Sequence, residues 1–335
     1  MAIPFDQDLL EVTGAPFQLQ ESVRTTSDGS LDFSFSRDGM LVFAPPISST
    51  SVTRLAWADP AGEVSLIFAR QGDFNEARLS PDGRRVALHG DEDVLWVYDI
   101  RRDVMSVLIS EGRSFTPAWS SDGRWVYYSS RSGADSDLYR TPSDLGGPVE
   151  LILSRERDQY VPSVSLEGNT LLYAEVNPVT GFDIWALPLE GGGSPEPVIR
   201  TPDAELSPQI STDGKWFVYV SDASDVGEVY LRSLPGPGQQ WQLSSGGGRS
   251  PRWSRDGRTV FYNAGPRIMR VDLPSGAGSE PSAPTMVFEN DSLALQDVAP
   301  DGRFLMIERT NEPPTHLNVV LNWFEELKRL APTGR

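Results

Sequence analysis

The 335-residue chain contains no cysteine, only two histidines and no long apolar run. The absence of cysteine excludes disulfides, thiolate catalysis and Cys-ligated zinc. No segment approaches the roughly 20 consecutive apolar residues that a membrane-spanning helix needs. Residues 1–8 are acidic and lack the basic and apolar pattern of a signal peptide. The sequence therefore predicts a soluble chain without a membrane span.

Basic residues are also in deficit: 29 Lys and Arg against 47 Asp and Glu give a net charge of −18. A surface this acidic repels phosphate backbones and anionic lipid. Nucleic acid and membrane surfaces are therefore poor candidate partners, whereas basic proteins and cationic ligands stay open.

The chain lacks the motifs of the common enzyme classes. It has no Gly-x-Ser-x-Gly nucleophile elbow, no phosphate-binding loop and no protein-kinase catalytic loop. His89 follows a strand pattern and His316 precedes one, so each is predicted to be a strand-end or loop residue. The sequence predicts a protein that is not an enzyme and has no catalytic, cofactor-binding or metal-binding residues.

Two pairs of loop acids have the carboxylates that calcium uses, but not the spacing or the Glu of a calcium loop. These pairs are Asp135 with Asp137, and Asp222 with Asp225. They are predicted to be ordinary loop residues.

One short motif recurs seven times, at intervals of 40 to 46 residues. It is a small residue (Ser in six copies), any residue, an acid and a glycine, followed by an apolar run. Asp bonds its own backbone two residues on, and Gly supplies the positive φ of a tight hairpin, so the motif predicts a turn between two strands. A residue needed once for chemistry would not recur in every repeat. The acids are therefore predicted to be turn residues: Asp38, Asp82, Asp122, Glu167, Asp213, Asp256 and Asp301.

Each full repeat also carries four short stretches rich in β-branched and aromatic residues, as strands prefer. In one repeat these stretches are residues 117–119, 125–128, 138–139 and 151–153. A period of 40 to 50 residues with four short strands is typical of a propeller blade. The predicted fold class is all-β: a β-propeller of four-stranded blades, with residues 1–335 as one domain.

Seven motif copies predict seven blades, with six and eight left open. Six repeats are complete, and the seventh has strands at 296–298, 304–308 and 317–321. Its fourth strand is expected from residues 17–19, near the N-terminus. That closure would place both chain ends in one blade and leave no exposed sheet edge. Residues 1–5 form an additional strand-like stretch that this closure does not use.

The C-terminal residues 322–331 depart from the strand pattern and predict a short amphipathic helix packed on the propeller. Asn322 can cap this predicted helix, and Glu325 three residues on would complete a capping-box-like pair. One helical face carries the apolar side chains Trp323, Phe324, Leu327 and Leu330. A docking helix for a partner is the alternative.

Several of the nine tryptophans occupy equivalent repeat positions, Trp119 with Trp253 and Trp96 with Trp185. Aromatic faces can stack on sugars. Equivalent placement in different repeats instead favours packing between blades.

The repeat resembles the WD40-like (PD40) repeat of TolB-type propellers. The matching residues are 117–124 (PAWSSDGR), 127–133 (YYSSRSG) and 137–139 (DLY), and the resemblance covers nearly the whole chain. Residues 12–14 (VTG) and 318–327 (NVVLNWFEEL) more narrowly resemble the propeller regions of bacterial membrane-anchored Ser/Thr kinases. There the propeller follows a kinase domain and a membrane span, which implies a sensing or binding role. The resemblance implies a periplasmic or extracytoplasmic location if the chain is a fragment of such a protein, and a cytoplasmic one if it is complete.

The leading hypothesis is a monomeric, non-catalytic propeller that binds a protein partner or senses a ligand through loops at one mouth of its channel. Function on a repeat scaffold is expected where the repeats differ. One alternative is a hydrolase or lyase acting on sugars or peptides, which carboxylates of raised pKa inside the channel would favour. Another is the scaffold portion of a signalling protein.

Overall fold

A computed structural model of the chain describes residues 5–6, 11–12, 33–36, 40–43, 52–68, 70–90, 93–131, 133, 135–165, 169–236, 238–273, 280–310, 318–321 and 323. The chain divides into two compact units, Val52–Thr310 and Met1–Ser51 with Asn311–Arg335. None of the described helical residues forms a segment long and apolar enough to cross a membrane.

The described secondary structure consists almost entirely of short strands. In chain order they are β1 (Phe5–Asp6), β2 (Glu11–Val12), β3 (Phe33–Phe35), β4 (Leu41–Phe43), β5 (Thr53–Ala58), β6 (Val64–Leu66), β7 (Glu76–Leu79), β8 (Arg85–Gly90), β9 (Val94–Asp99), β10 (Val104–Ile109), β11 (Arg113–Trp119), β12 (Trp125–Arg131), β13 (Asp137–Pro142), β14 (Glu150–Leu153), β15 (Gln159–Val164), β16 (Thr170–Asn177), β17 (Gly181–Pro188), β18 (Glu196–Ile199), β19 (Glu205–Ile210), β20 (Trp216–Ser221), β21 (Glu228–Ser233), β22 (Gln240–Gln242), β23 (Arg249–Trp253), β24 (Thr259–Ala264), β25 (Arg267–Asp272), β26 (Thr285–Glu289), β27 (Leu293–Val298), β28 (Phe304–Arg309) and β29 (Asn318–Val320).

The unit Val52–Thr310 is a six-bladed β-propeller within the residues that the structure describes. Each blade is a four-stranded antiparallel sheet, and its strands are labelled A to D from the axis outwards. The blades are I (β7–β10), II (β11–β14), III (β15–β18), IV (β19–β22), V (β23–β26) and VI (β27, β28, β5, β6). The A strand of each blade contacts the A strand of the next, and β27 returns to β7, so the ring is closed.

The prediction of four-stranded blades is confirmed, whereas the prediction of seven blades is wrong. The third and fourth strands expected for the first repeat, β5 and β6, belong to blade VI. There β5 lies antiparallel to β28, with Phe304 opposite Ala58 and Arg309 opposite Thr53. Strands from the two ends of the Val52–Thr310 unit thus complete one blade, and seven motifs produce six blades.

The motif copy around Gly39 lies in the other unit. There β3 and β4 pair as a hairpin, and β29 pairs with β4. The strand expected at 317–321 as the third of a seventh blade is therefore part of this small sheet. The strand-like stretch at the N-terminus pairs locally, β1 with β2. Residues 17–19 lie outside the described residues, as does the helix predicted at 322–331 apart from Trp323.

The five repeated acids that the structure describes lie in the turns between strands A and B, as predicted, whereas Asp38 and Glu167 lie outside the described residues. The Ser120 hydroxyl donates to Asp122 Oδ1 at 2.6 Å, and its oxygen accepts the Trp125 N–H at 2.9 Å. Gly123 closes the turn with a φ of +70°. Ser80, Ser211 and Ser254 repeat the 2.6 Å bond to their own motif acids.

Apolar side chains pack between neighbouring blades rather than around one centre. The Trp119 indole of blade II donates to the Arg78 carbonyl of blade I at 2.9 Å. Trp253 of blade V makes the same bond to the Gln209 carbonyl of blade IV, also at 2.9 Å. Trp96 packs into the cluster between blades VI and I, and Trp185 into the one between blades II and III. The four tryptophans have the inter-blade role that their repeat positions predict.

Candidate functional site

The channel is lined at one level by a single residue from each A strand, two positions before the motif Ser or Ala. In blade order these residues are Arg78, Ala118, Ser163, Gln209, Arg252 and Asp297. The turn residues repeat from blade to blade, but these six positions hold five residue types. Because they face one space, their differences make the axis chemically asymmetric.

These side chains surround a cavity of about 170 Å³ at the channel mouth on the A–B turn side. Turn residues Ser121 and Thr212 border the cavity on different blades, and Arg255 borders it from blade V. Trp119 and Trp253 form part of the wall. The cavity is therefore open to solvent past the turns, and its walls combine charged, polar and aromatic groups.

β-Bulges aim the channel residues in three of the A strands. Thr116, Ser207 and Ser250 have φ values of +53°, +53° and +52°, and each precedes a proline. The strand register shifts at the same places, for example between Arg249 and Arg252. A bulge bends its strand and redirects the following side chain. The backbone of the repeat therefore turns these channel positions to the axis whichever residue occupies them.

Two arginines from blades V and I meet at the blade between them. Arg252 is 5% exposed, its Nε donates to the Gln296 carbonyl of blade VI, and its Nη1 donates to the Pro251 carbonyl at 2.7 Å. Arg78 Nη1 donates to the same Gln296 carbonyl at 3.1 Å. Burial, followed by repulsion from the Arg78 charge, lowers the pKa of Arg252 to about 9.

The carboxylates near this pair, Asp297 and Glu76, are not hydrogen-bonded to either arginine among the described contacts. Asp297 accepts the backbone N–H of Leu79 at 2.9 Å and of Val298 at 2.8 Å, and lies 3.9 Å from Arg255 Nη2. Glu76 Oε2 is buried and has no hydrogen-bond partner among the described atoms. Within the described part of the chain, no carboxylate lies within 4.0 Å of the guanidinium of Arg78 or Arg252. Both cations are therefore bonded only to main-chain carbonyls.

His89 does not line this cavity. His89 lies in β8, one residue from the strand end, with Nε2 3.5 Å from Asp93 Oδ1. Arg113 holds the other oxygen of Asp93 at 2.7 Å and lowers the pKa of that carboxyl. The prediction that His89 is a strand-end residue is confirmed, and His316 lies outside the described residues.

The loop acids lie apart from the channel. Asp222 Oδ1 accepts the Ala204 N–H at 2.7 Å, and Asp225 donates its N–H to the Asp222 carbonyl at 2.9 Å, so this pair shapes a turn. Asp137 begins β13. Across the described ranges, no three His, Asp or Glu side chains are grouped so that they could hold a metal ion.

Sequence reasoning missed two features. The first is the Arg78–Arg252 convergence, although the unequal residues two positions before the motif were a usable signal. The second is a set of buried carboxylates in blades III and IV, Glu175, Asp183 and Glu205. No short-range pattern marks these acids, because three different strands bring them into the interior.

The chain is similar in structure to a putative TolB from Agrobacterium tumefaciens, at 17% identity and a TM-score of 0.62, over 78% of this chain and 99% of that one. It is also similar to TolB from Acinetobacter baumannii, at 15% identity and a TM-score of 0.54, over 81% of this chain and 66% of that one. A chain in the structure of a nidogen/laminin complex matches at 11% identity and a TM-score of 0.55, over 69% of this chain and 92% of that one. No protein-family model and no curated protein matches the sequence. The chain therefore has a TolB-like β-propeller fold.

Proposed function

We propose that the chain is a non-catalytic binding propeller that engages a protein partner at the channel mouth on the A–B turn side. The observation that carries this proposal is the set of six unequal residues at equivalent positions around the axis. A repeat that served only the fold would place similar residues there, as it does at the turns. Recognition of one partner instead requires an asymmetric set of groups.

Charge and fold support the same function. The chain as a whole carries a net charge of −18, yet three arginines and one aspartate line the cavity in the described structure. This local reversal of charge favours a partner with an acidic segment. A chain of similar fold also occurs in the structure of a nidogen/laminin complex, an assembly of two proteins.

The enzymatic alternative has less support. It requires a group of carboxylates with raised pKa values in the channel, whereas Asp297 is the one carboxylate among the described residues that line the cavity. The acids whose pKa is raised, Glu175 and Glu205, do not line this cavity.

Site-specific photocrosslinking tests the binding proposal. Ser121 and Thr212 are replaced one at a time by p-benzoylphenylalanine, and the protein is irradiated in cells of its own source. We expect one and the same protein to be crosslinked from both positions, since both border the mouth. Val107 and Leu151, exposed on outer strands, are the matched control positions.

The proposal is contradicted if crosslinks arise only from Val107 and Leu151. Crosslinks confined to Val226, which is exposed at the opposite end of blade IV, would place binding at that end instead. A partner crosslinked from all positions alike would indicate non-specific contact.

The resemblance of residues 12–14 and 318–327 to membrane-anchored kinases supports a second, finer proposal. In it, the propeller is the sensing or scaffold portion of a signalling protein. Sequencing of the gene upstream of Met1 tests it, and a reading frame that continues into a membrane span and a kinase domain is the expected result. A stop codon directly upstream would contradict it.

A further inference from the structure

The buried guanidinium of Arg252 has no carboxylate within 4.0 Å among the described residues. A buried cation costs free energy unless an opposite charge or several hydrogen bonds offset that cost. Two of its five N–H groups are taken up by the carbonyls of Gln296 and Pro251. Its Nη2 donates to no acceptor among the described residues, and the same holds for Nη2 of Arg78.

Both arginines line the same cavity, so their side chains lie beside a space that a ligand could occupy. Ser163 borders it as well, and its hydroxyl oxygen accepts the Ile210 N–H at 3.1 Å, which leaves the hydroxyl proton to donate. Guanidinium and hydroxyl donors together suit an oxyanion. Arginine is the side chain that recognises planar, bidentate anions.

The charge balance favours an anion with a single negative charge. Arg78, Arg252 and Arg255 carry three positive charges at the cavity, and the negative charges of Asp297 and Glu76 act on Arg252. One added negative charge makes this group neutral. A phosphate dianion would leave an excess negative charge in a partly buried space, at a cost in desolvation.

The cavity walls restrict the ligand further. A volume of about 170 Å³ holds a group the size of an amino-acid side chain, and the lining residues Trp119 and Trp253 make the wall partly aromatic, which suits an apolar stem. We propose that the channel mouth binds a carboxylate group, held by Arg78 and Arg252. The inference rests on the proposed function in placing the site at this mouth, and it names the chemistry recognised there.

The test is a titration of the full chain labelled with ¹⁵N-tryptophan, observed through its nine indole N–H signals. Trp119 and Trp253 are assigned by substitution with Phe. The probes are sodium propionate, inorganic phosphate and two capped tripeptides, acetyl-Gly-Asp-Gly-amide and acetyl-Gly-Asn-Gly-amide. The Asn peptide is the control that lacks the carboxylate of the Asp peptide. Ionic strength is held constant throughout.

We expect propionate or the Asp peptide to shift the Trp119 and Trp253 signals saturably, and the Asn peptide and phosphate to shift them little. Binding of propionate alone indicates a small acid as the natural source of the carboxylate, and binding of the Asp peptide indicates a protein. Either result supports the carboxylate site. Absence of both shifts, or equal shifts with phosphate, overturns it.

Variants assign the site to its residues. Arg252→Gln and Arg78→Gln should each weaken binding at least about tenfold, because each removes a charged donor. Arg84→Gln, on an exposed turn side chain of blade I, is the matched control and should bind as the natural chain does. The dispersion of the other indole signals reports folding, and Arg78→Gln carries the test if Arg252→Gln does not fold. Unchanged binding in a folded Arg78→Gln variant overturns the assignment.

The outcomes separate this inference from the proposed function. A partner crosslinked at the mouth without carboxylate binding leaves the function standing and removes the ligand class. Carboxylate binding without a crosslinked partner supports the ligand class and contradicts the proposed binding of a protein at the mouth.

Discussion

The carboxyl of Glu205 lies 2% exposed at the start of β19. Burial raises its pKa to about 7, against the hydrogen bond donated by the Thr201 hydroxyl, and the negative charges of Asp183 and Asp203 raise it further. In the unfolded chain the pKa of this carboxyl has its ordinary value of about 4.5. Between these values the folded chain holds a proton that the unfolded chain has released.

This difference predicts that Glu205 stabilises the fold less as pH rises from about 4.5 to 7. Replacement by Gln removes the titrating group, so Glu205→Gln should gain stability relative to the natural chain at pH 8 but not at pH 4.5. The pKa shift of Glu205 corresponds to a difference of roughly 3 kcal/mol in the free energy of unfolding. Urea unfolding of both proteins at the two pH values measures it.

Glu190→Gln, at an exposed loop position, is the control. It should leave the urea unfolding midpoint nearly unchanged at both pH values. The prediction fails if the stability difference between Glu205→Gln and the natural chain is the same at both pH values.

The element that closes the ring is β5, whose six residues all pair with β28. Ala56 lies opposite Met306, and both are fully buried. Opposed residues in an antiparallel pair have Cα atoms about 4.5 to 5.5 Å apart, within the range that a disulfide spans. The chain has no cysteine of its own, so an introduced pair has no competitor.

We therefore expect the double variant Ala56→Cys, Met306→Cys to form a disulfide on mild oxidation of the folded protein. The crosslink would close a loop of roughly 250 residues and stabilise the fold by up to ~5 kcal/mol. Faster migration on a non-reducing gel and a raised urea midpoint are the measurements.

Met306→Cys with Val319→Cys is the rival pair, because the seven-bladed closure would have put residues 317–321 beside β28. Efficient crosslinking of the rival pair, with none between positions 56 and 306, would contradict six blades. The single-cysteine variants control for the loss of buried side-chain volume.

For the whole molecule, all six blades lie within residues 52–310, and their A strands form a closed ring. A ring without an open edge between its blades needs no other segment to cover it. We predict that a chain of residues 52–310 folds alone with one cooperative thermal transition, measured by circular dichroism and calorimetry.

A chain of residues 67–310 is the matched comparison. It lacks β5 and β6, so β28 is left as an unpaired edge strand, which favours aggregation. We expect it to elute as aggregates on size exclusion where residues 52–310 elute as a monomer. Aggregation of both chains would show that the ring depends on the other unit.

Much of the fold could be read from local patterns. The motif at Ser120, Asp122 and Gly123 specifies its turn through hydrogen bonds within five residues. Each copy of the motif can therefore be recognised in the sequence. The β-branched and aromatic runs likewise mark the strands, and the equivalent positions of Trp119 and Trp253 anticipated their matching bonds between blades. These features depend on neighbours in sequence or on the repeat itself.

The blade number and the site depend on contacts between residues far apart in sequence. Whether β28 pairs with β5 or with residues 317–321 is a competition between non-local strands, and both have suitable β-forming residues. The meeting of Arg78 and Arg252 at one carbonyl arises because ring closure places blades V and I on either side of blade VI. Turn and strand identity thus follow from the sequence alone, because short-range hydrogen bonding and packing preference specify them. Ring size and the cationic channel mouth follow only from the folded ring, because closure determines which distant residues become neighbours.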